Sequence, residues 1–293
     1  MRHSHIILSS LLIPTNDECP NSPVTSQSFR PKKCSYNAGS HSFTNCSWDN
    51  TDLSSNGGAI HYRLTSATKS YASLTVDKCT FLHCKEAETV DGGAIYAAYI
   101  GTVSVTASLF YDCKSGTGQI GAEGGGICCY YIAVLPLIRT CTFLFCTTGD
   151  DGGGCGIWLS NASSVYVINS CRFLKCKGTH VDNSQGGGIM LSFNEVFVTI
   201  TNCLLCACET KYQGGGVLIT QPSDTSLQPL TFCFFHDNKS PIGKDVCFYE
   251  YNGNVQLILY SFSSDAAAGR VDGGPDNWLP HTCTLIFKNT LWF

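Results

Sequence analysis

Two short motifs alternate along this chain, and their alternation limits the fold more than any other feature. The first is Gly-x-Ala/Gly-Ile/Val, starting at Gly57, Gly92, Gly124, Gly154, Gly186 and Gly214, with a worn copy at Gly243. Successive copies are 35, 32, 30, 32, 28 and 29 residues apart. Between them runs Cys-x-Phe-x-x-Cys, as Cys79/Phe81/Cys84, Cys141/Phe143/Cys146 and Cys171/Phe173/Cys176. Variants are Ser108/Phe110/Cys113, Cys203/Leu205/Cys208 and Cys233/Phe235/Asn238, with degenerate ends read at Phe43/Cys46 and Tyr260/Phe262/Asp265. A fixed period of this length is the signature of a repeat architecture.

The residues around both motifs read as strands. Five residues before each Phe-equivalent stands Val76, Val105, Ile138, Ile168, Ile200, Leu230 or Leu257, flanked largely by polar residues such as Thr75 and Asp77. That is period-two alternation with one buried face. After the glycines, Ile60/Tyr62, Ile95/Ala97, Ile127/Cys129 and Ile157/Leu159 alternate in the same way. The glycines supply bends that a side chain would hinder. A unit this short cannot bury its apolar face alone, whereas stacked units can, each strand pairing in parallel with its copy about 4.8 Å away. The expected fold is all-β: a right-handed, single-stranded parallel β-helix of about eight coils. Residues 1–35 are read as an N-terminal segment (a weak signal peptide or a partial coil), 36–270 as the repeats, and 271–293 as a cap-like segment. Like residues should form ladders: Ile60, Ile95, Ile127, Ile157, Ile189 and Val217 in one, and Phe43, Phe81, Phe110, Phe143, Phe173, Leu205, Phe235 and Phe262 in another. A β-propeller blade is longer, and the Leu/Asn consensus of leucine-rich repeats is absent.

The alternation of Gly-Gly-Ala-Ile with a Phe-x-x-Asn-like motif resembles the repeats of chlamydial polymorphic outer-membrane proteins and of similar trichomonad surface proteins. The resemblance covers roughly residues 36–270. It implies a pectin-lyase-like solenoid displayed at a cell surface and used in adhesion. This chain departs by carrying Cys at the motif's Asn in six repeats, with Asn238 retained. After residue 270 no autotransporter β-barrel is expected, so the bacterial secretion route is not implied.

The chain has 19 cysteines in 293 residues, an odd count. Cys79, Cys141, Cys171, Cys203 and Cys233 are read as one column, and Cys46, Cys84, Cys113, Cys146, Cys176 and Cys208 as another. Three readings stay open: buried thiols acting as small hydrophobes, disulfides between adjacent coils, and zinc. Cys203, Cys206 and Cys208 are the least unfavourable metal set, while Cys128 and Cys129 should point to opposite faces of a strand.

Charged residues are 14% of the chain and the net charge is -4, which leaves no clustered Lys and Arg for nucleic acid. No apolar run reaches the roughly 18 residues that a membrane-spanning helix needs. Catalysis on polysaccharides would need converging carboxylates or an Arg/Lys base. The outward column of the Gly-motif strand reads His61, Tyr96, Cys128, Trp158, Met190, Leu218 and Cys247, without an acid, Arg or Lys. Asp91, Glu123 and Asp151 (with Asp150 beside it) precede glycine turns in successive coils and form the acidic cluster best placed for Ca²⁺ or substrate. Tyr96, Trp158, Met190 and Leu218 are the candidate interaction face, exposed unless loops cover it. No catalytic residue, cofactor or metal site is assigned. The expected function is a surface or secreted scaffold that binds a host or cell-surface glycan or protein; the rival is a carbohydrate-active β-helix enzyme. Asn45-Cys46-Ser47 and Asn161-Ala162-Ser163 are glycosylation sequons, of which Asn161 should be exposed, whereas Asn238 should be enclosed.

Overall fold

The structure, a computed structural model, describes residues 23–29, 34–49, 58–64, 72–85, 91–116, 123–134, 136–149, 152–160, 166–179, 184–192, 198–220 and 230–249, with short strands at 256–257, 260–263, 271–273 and 284–285. Among the described residues all strand pairs are parallel, and each joins a strand to its copy one coil away, which makes a parallel β-helix. The described residues contain no helix long and apolar enough to cross a membrane.

Each coil makes the same circuit. A strand carrying the aliphatic column, such as Ser73–Asp77, turns a corner into a strand carrying the Phe column, such as Thr80–Leu82. A second corner leads to a short segment, such as Lys114–Ser115. The glycine turn then sends the chain into the Gly-motif strand, such as Ile95–Ala98. The first two sets join through Leu230–His236, which runs through the corner and carries both columns, making one 16-stranded sheet. Among the described residues the Gly-motif strands stack into a nine-stranded sheet, whereas the short segment forms a sheet of three strands, continued by single bridges at Lys85, Glu209 and Lys239. The count of about eight coils therefore holds only loosely, varying with the face on which it is taken.

The ladders fall as expected over most of the chain. Ile60, Ile95, Ile127, Ile157, Ile189 and Val217 are in register. So are Phe81, Phe110, Phe143, Phe173, Leu205 and Phe235. Phe81, Phe110, Phe143 and Phe173 stack ring on ring at 4.6–4.8 Å. The glycines let this stack sit close: a Cβ on Gly126 would lie 2.8 Å from the Phe143 ring.

Two ends differ from the sequence reading. Phe43 pairs with Val76, not Phe81, and it is Trp48 that lies over Phe81, at 4.8 Å. Cys46 therefore stands with Cys79 in the first row, not with Cys84 in the second. At the other end Phe262 pairs with Phe234 rather than Phe235, and Leu257 pairs with Leu285 in a separate two-stranded sheet.

The corners explain the cysteines. The residue before each row position has positive φ although none is glycine: Asn45, Lys78, Ala107, Thr140, Ser170, Asn202 and Phe232 at the first corner, and His83, Asp112, Phe145, Lys175, Ala207 and Asp237 at the second. The left-handed conformation costs an L-residue about 1–2 kcal/mol. It turns the chain sharply, and hydrogen bonds to both neighbouring coils hold it, as in Lys78 N–H to Thr106 at 3.0 Å and Thr80 N–H to Cys46 at 2.8 Å. The next side chain points inward and ties coil to coil. Cys79 Sγ accepts from Cys46 N–H at 3.4 Å and donates to the carbonyls of Phe43 and Asp77, at 3.5 and 3.3 Å. Ser108 Oγ accepts from Cys79 N–H at 3.1 Å and donates to Thr106 at 2.7 Å. Asn238 Oδ1 accepts from Cys208 N–H at 3.0 Å, while its Nδ2 donates to Leu205 at 3.1 Å. Thiol, hydroxyl and carboxamide thus fill one role, so these cysteines are hydrogen-bonding corner posts as well as small buried groups. The row cysteines are free, buried thiols.

Candidate functional site

The Gly-motif sheet has two apolar faces. Ile95, Ala97, Ile127, Cys129, Ile157 and Leu159 point into the solenoid, while Tyr96, Cys128, Trp158, Met190 and Leu218 form a separate cluster on its outside. Register places Tyr96, Cys128, Trp158, Met190, Leu218 and Cys247 side by side, as read from the alternation. Of the two readings left open, an exposed face or a covered one, the structure shows the covered one. Tyr96 is 8% exposed, Trp158 5%, Met190 9% and Leu218 0%, so the four do not form an open patch. The side chains of Tyr99, Tyr130 and Ile242 pack against them, making a second, outer core.

The open surface lies at its margin, where the Gly-motif strands end. Tyr99 and Tyr131 occupy the residue after Ile95–Ala98 and Ile127–Tyr130, both with positive φ, and their N–H groups bond to Tyr130 and Ser160 of the next coils at 3.0 and 3.2 Å. Tyr131 is 45% exposed, and its ring stacks on Tyr99 at 5.3 Å and meets Tyr130 edge-on at 4.4 Å. Tyr130 in turn stacks with Trp158 at 6.0 Å, and the exposed Arg63 holds its guanidinium over Tyr99, also at 6.0 Å. His61 stacks on Tyr96 at 5.0 Å. Trp158 Nε1 is buried without a hydrogen-bond partner. An unpaired buried donor costs on the order of 1–3 kcal/mol, so one beside an exposed aromatic cluster is a notable feature. The sequence reading missed the tyrosines because it followed period-two alternation, which stops where the strand bends. A signal was present: Tyr99 and Tyr131 each lie seven residues after the first glycine of their motif.

Of the acidic cluster, the structure brings Asp91 and Glu123 together, while Asp151 and Asp150 lie outside the described residues. Glu123 N–H donates to Asp91 Oδ1 at 3.0 Å, and Gly92 N–H donates to the Glu123 carbonyl at 2.8 Å. Burial, with the Asp91 charge adding, pushes the Glu123 carboxyl up to about 9, so it is protonated at neutral pH. Burial first, then the same two acids, raises the Cys128 thiol well above its usual value. The described residues contain no group of three metal-ligating side chains. Cys203 and Cys208 point into the core while Cys206 is half-exposed on the other face of its strand, so that trio diverges. Cys128 and Cys129 do separate, into the outer and inner clusters. Asn238 is buried and bonded on both amide atoms, and Asn161 lies outside the described residues.

A family model described as "Right handed beta helix region" matches residues 32–232. No curated protein and no solved structure matches the chain.

Proposed function

Because this chain belongs to the right-handed β-helix family, we propose that it is a non-enzymatic scaffold, secreted or held at a cell surface, that binds a glycan or protein for adhesion or molecular interaction. The family itself includes both enzymes and non-enzymes as far as its fold is concerned, so the site must carry the choice. The observation that carries this reading is the Tyr99, Tyr130 and Tyr131 cluster with Arg63 at its edge. Exposed tyrosine beside arginine is the composition of binding hot spots, and a rigid solenoid places these groups without ordering cost. The resemblance of the paired motifs to those of chlamydial and trichomonad surface proteins supports the surface location. Within the reading, the outer core of Tyr96, Trp158, Met190 and Leu218 props up the contact surface from beneath.

The test is a binding screen of the purified chain against a glycan array and a panel of cell-surface proteins. A ligand retained by the wild-type chain should bind Tyr131→Ser at least about tenfold more weakly, with an unchanged melting midpoint, a loss of about 1.4 kcal/mol. Equal retention by wild type and variant would remove the tyrosine cluster from the reading.

One observation favours the second reading, a carbohydrate-active enzyme. Protonated Glu123 beside Asp91 is the kind of acid–base couple that glycosidic cleavage uses. Release of reducing or unsaturated sugars that is lost in Glu123→Gln would establish this reading against the scaffold.

A further inference from the structure

The corner rows hold thiols in patterns that differ by position, and the breaks in them are as informative as the runs. Read in the register of the structure, the first row is Cys46, Cys79, Ser108, Cys141, Cys171, Cys203 and Cys233. Ser108 therefore isolates one pair from a run of four. The second row runs unbroken through Cys84, Cys113, Cys146, Cys176 and Cys208 and ends at Asn238. Successive thiols touch: Cys46 with Cys79, Cys141 with Cys171, Cys171 with Cys203, Cys203 with Cys233, and likewise from Cys84 to Cys208 along the second row.

We propose that the corner cysteines are modification sites, in which neighbouring thiols of one row join into disulfides between adjacent coils, the Cys46–Cys79 pair first. Parallel neighbours stand about 4.8 Å apart, inside the roughly 4.4–6.8 Å range of Cα separations that a disulfide spans. Cys79 and Cys141 are two coils apart, about twice that spacing, and cannot join. The oxidant is a small-molecule disulfide such as oxidised glutathione. A cysteine thiolate attacks it, forming a mixed disulfide and releasing one reduced glutathione. The neighbouring thiolate attacks the bound sulfur, forming the Cys–Cys bond and releasing the second. Two cysteine sulfurs are oxidised, one oxidant disulfide is reduced, and the two thiol protons pass to the released glutathiones.

One feature singles out Cys46–Cys79. Among the described residues it has no third thiol neighbour in its row to compete for it, since Ser108 stands on the far side of Cys79. The Cys79 hydrogen bond pushes the Cys46 thiol down to about 7, which supplies an attacking thiolate; row hydrogen bonds lower Cys171 and Cys233 in the same way, while Cys79, Cys113, Cys146 and Cys176 are raised. All the row thiols are buried, Cys46 and Cys79 among them, so coupling in the folded chain needs local opening of a corner, and within the longer runs either neighbour can take a given thiol. The inference does not depend on what the chain binds.

The experiment is thiol mapping of the full chain. Folded protein is held in oxidised glutathione, then denatured in the presence of N-ethylmaleimide so that every remaining thiol is blocked as it is exposed, digested and read by mass spectrometry. A second sample is refolded from the reduced, unfolded state into a glutathione redox buffer. The folded sample should give Cys46–Cys79 at about tenfold or more over any other link. The refolded sample should add links between row neighbours only. Ser108→Cys should create links to Cys79 or Cys141, while Cys46→Ser, which copies the residue at 108, should keep the fold and leave Cys79 blocked by maleimide. Full blocking of Cys46 and Cys79 in both wild-type samples, or links that skip a coil, would overturn the proposal.

Discussion

At the residue scale, the corner sets the rules. It needs a left-handed residue followed by a small inward side chain able to donate and accept. Ala107, at φ 49°, has no side chain beyond the Cβ that makes this conformation costly. Ala107→Gly should therefore stabilise the chain by a few tenths to about 1 kcal/mol in urea melts, opposite in sign to the usual cost of glycine in a strand. Cys171 donates to the carbonyls of Ile138 and Asn169, at 3.6 and 3.4 Å. Cys171→Ser should stay within about 1 kcal/mol of wild type, as Ser108 already fills the same place, whereas Cys171→Ala should cost about 1–2 kcal/mol. Glu123 makes a pH prediction. Its carboxyl is raised from 4.5 to about 9 in the folded chain, so above pH 4.5 the unfolded chain binds fewer protons than the folded one. Its stabilising contribution is complete below pH 4.5 and is lost as pH rises toward 9. Melting midpoints should fall over that window in wild type and fall less in Glu123→Gln; parallel curves would contradict the assignment.

At the element scale, stability resides in the ladders. Phe143 stacks between Phe110 and Phe173 and packs against Gly126, so Phe143→Ala should cost about 3–5 kcal/mol. Phe143→Leu should cost clearly less, since Leu205 holds the same column position. These ladders were legible in the sequence because the two motifs recur in a fixed order and each has a hydrophobe and a small residue at set spacing. The first coil was misread for a physical reason. Both columns place a large apolar residue three positions before a row cysteine, Val76 before Cys79 and Phe81 before Cys84. A phenylalanine at the aliphatic position, Phe43 before Cys46, imitates the second column. Trp48, two residues after Cys46 as Phe81 is after Cys79, was the distinguishing mark. The burial of Tyr96, Trp158, Met190 and Leu218 could not be read locally, because part of what packs on them, Ile242, is distant in the chain.

At the scale of the whole molecule, a solenoid joins each coil only to its neighbours, so its stability is close to a sum of coil and interface terms. The inner face of the Gly-motif sheet belongs to that stack, while its outer face carries the second core and, at its margin, the open tyrosines. Recognition can therefore vary at the margin without disturbing the ladders that hold it. All of this rests on one register, and a double-mutant cycle tests it most directly. With Trp48 stacked on Phe81, the variants Trp48→Leu and Phe81→Leu should show a coupling of about 0.5–1.5 kcal/mol in denaturant unfolding, beyond their separate effects. A coupling near zero for Trp48 with Phe81, together with one of that size for Phe43 with Phe81, would contradict the register and the corner rows built on it.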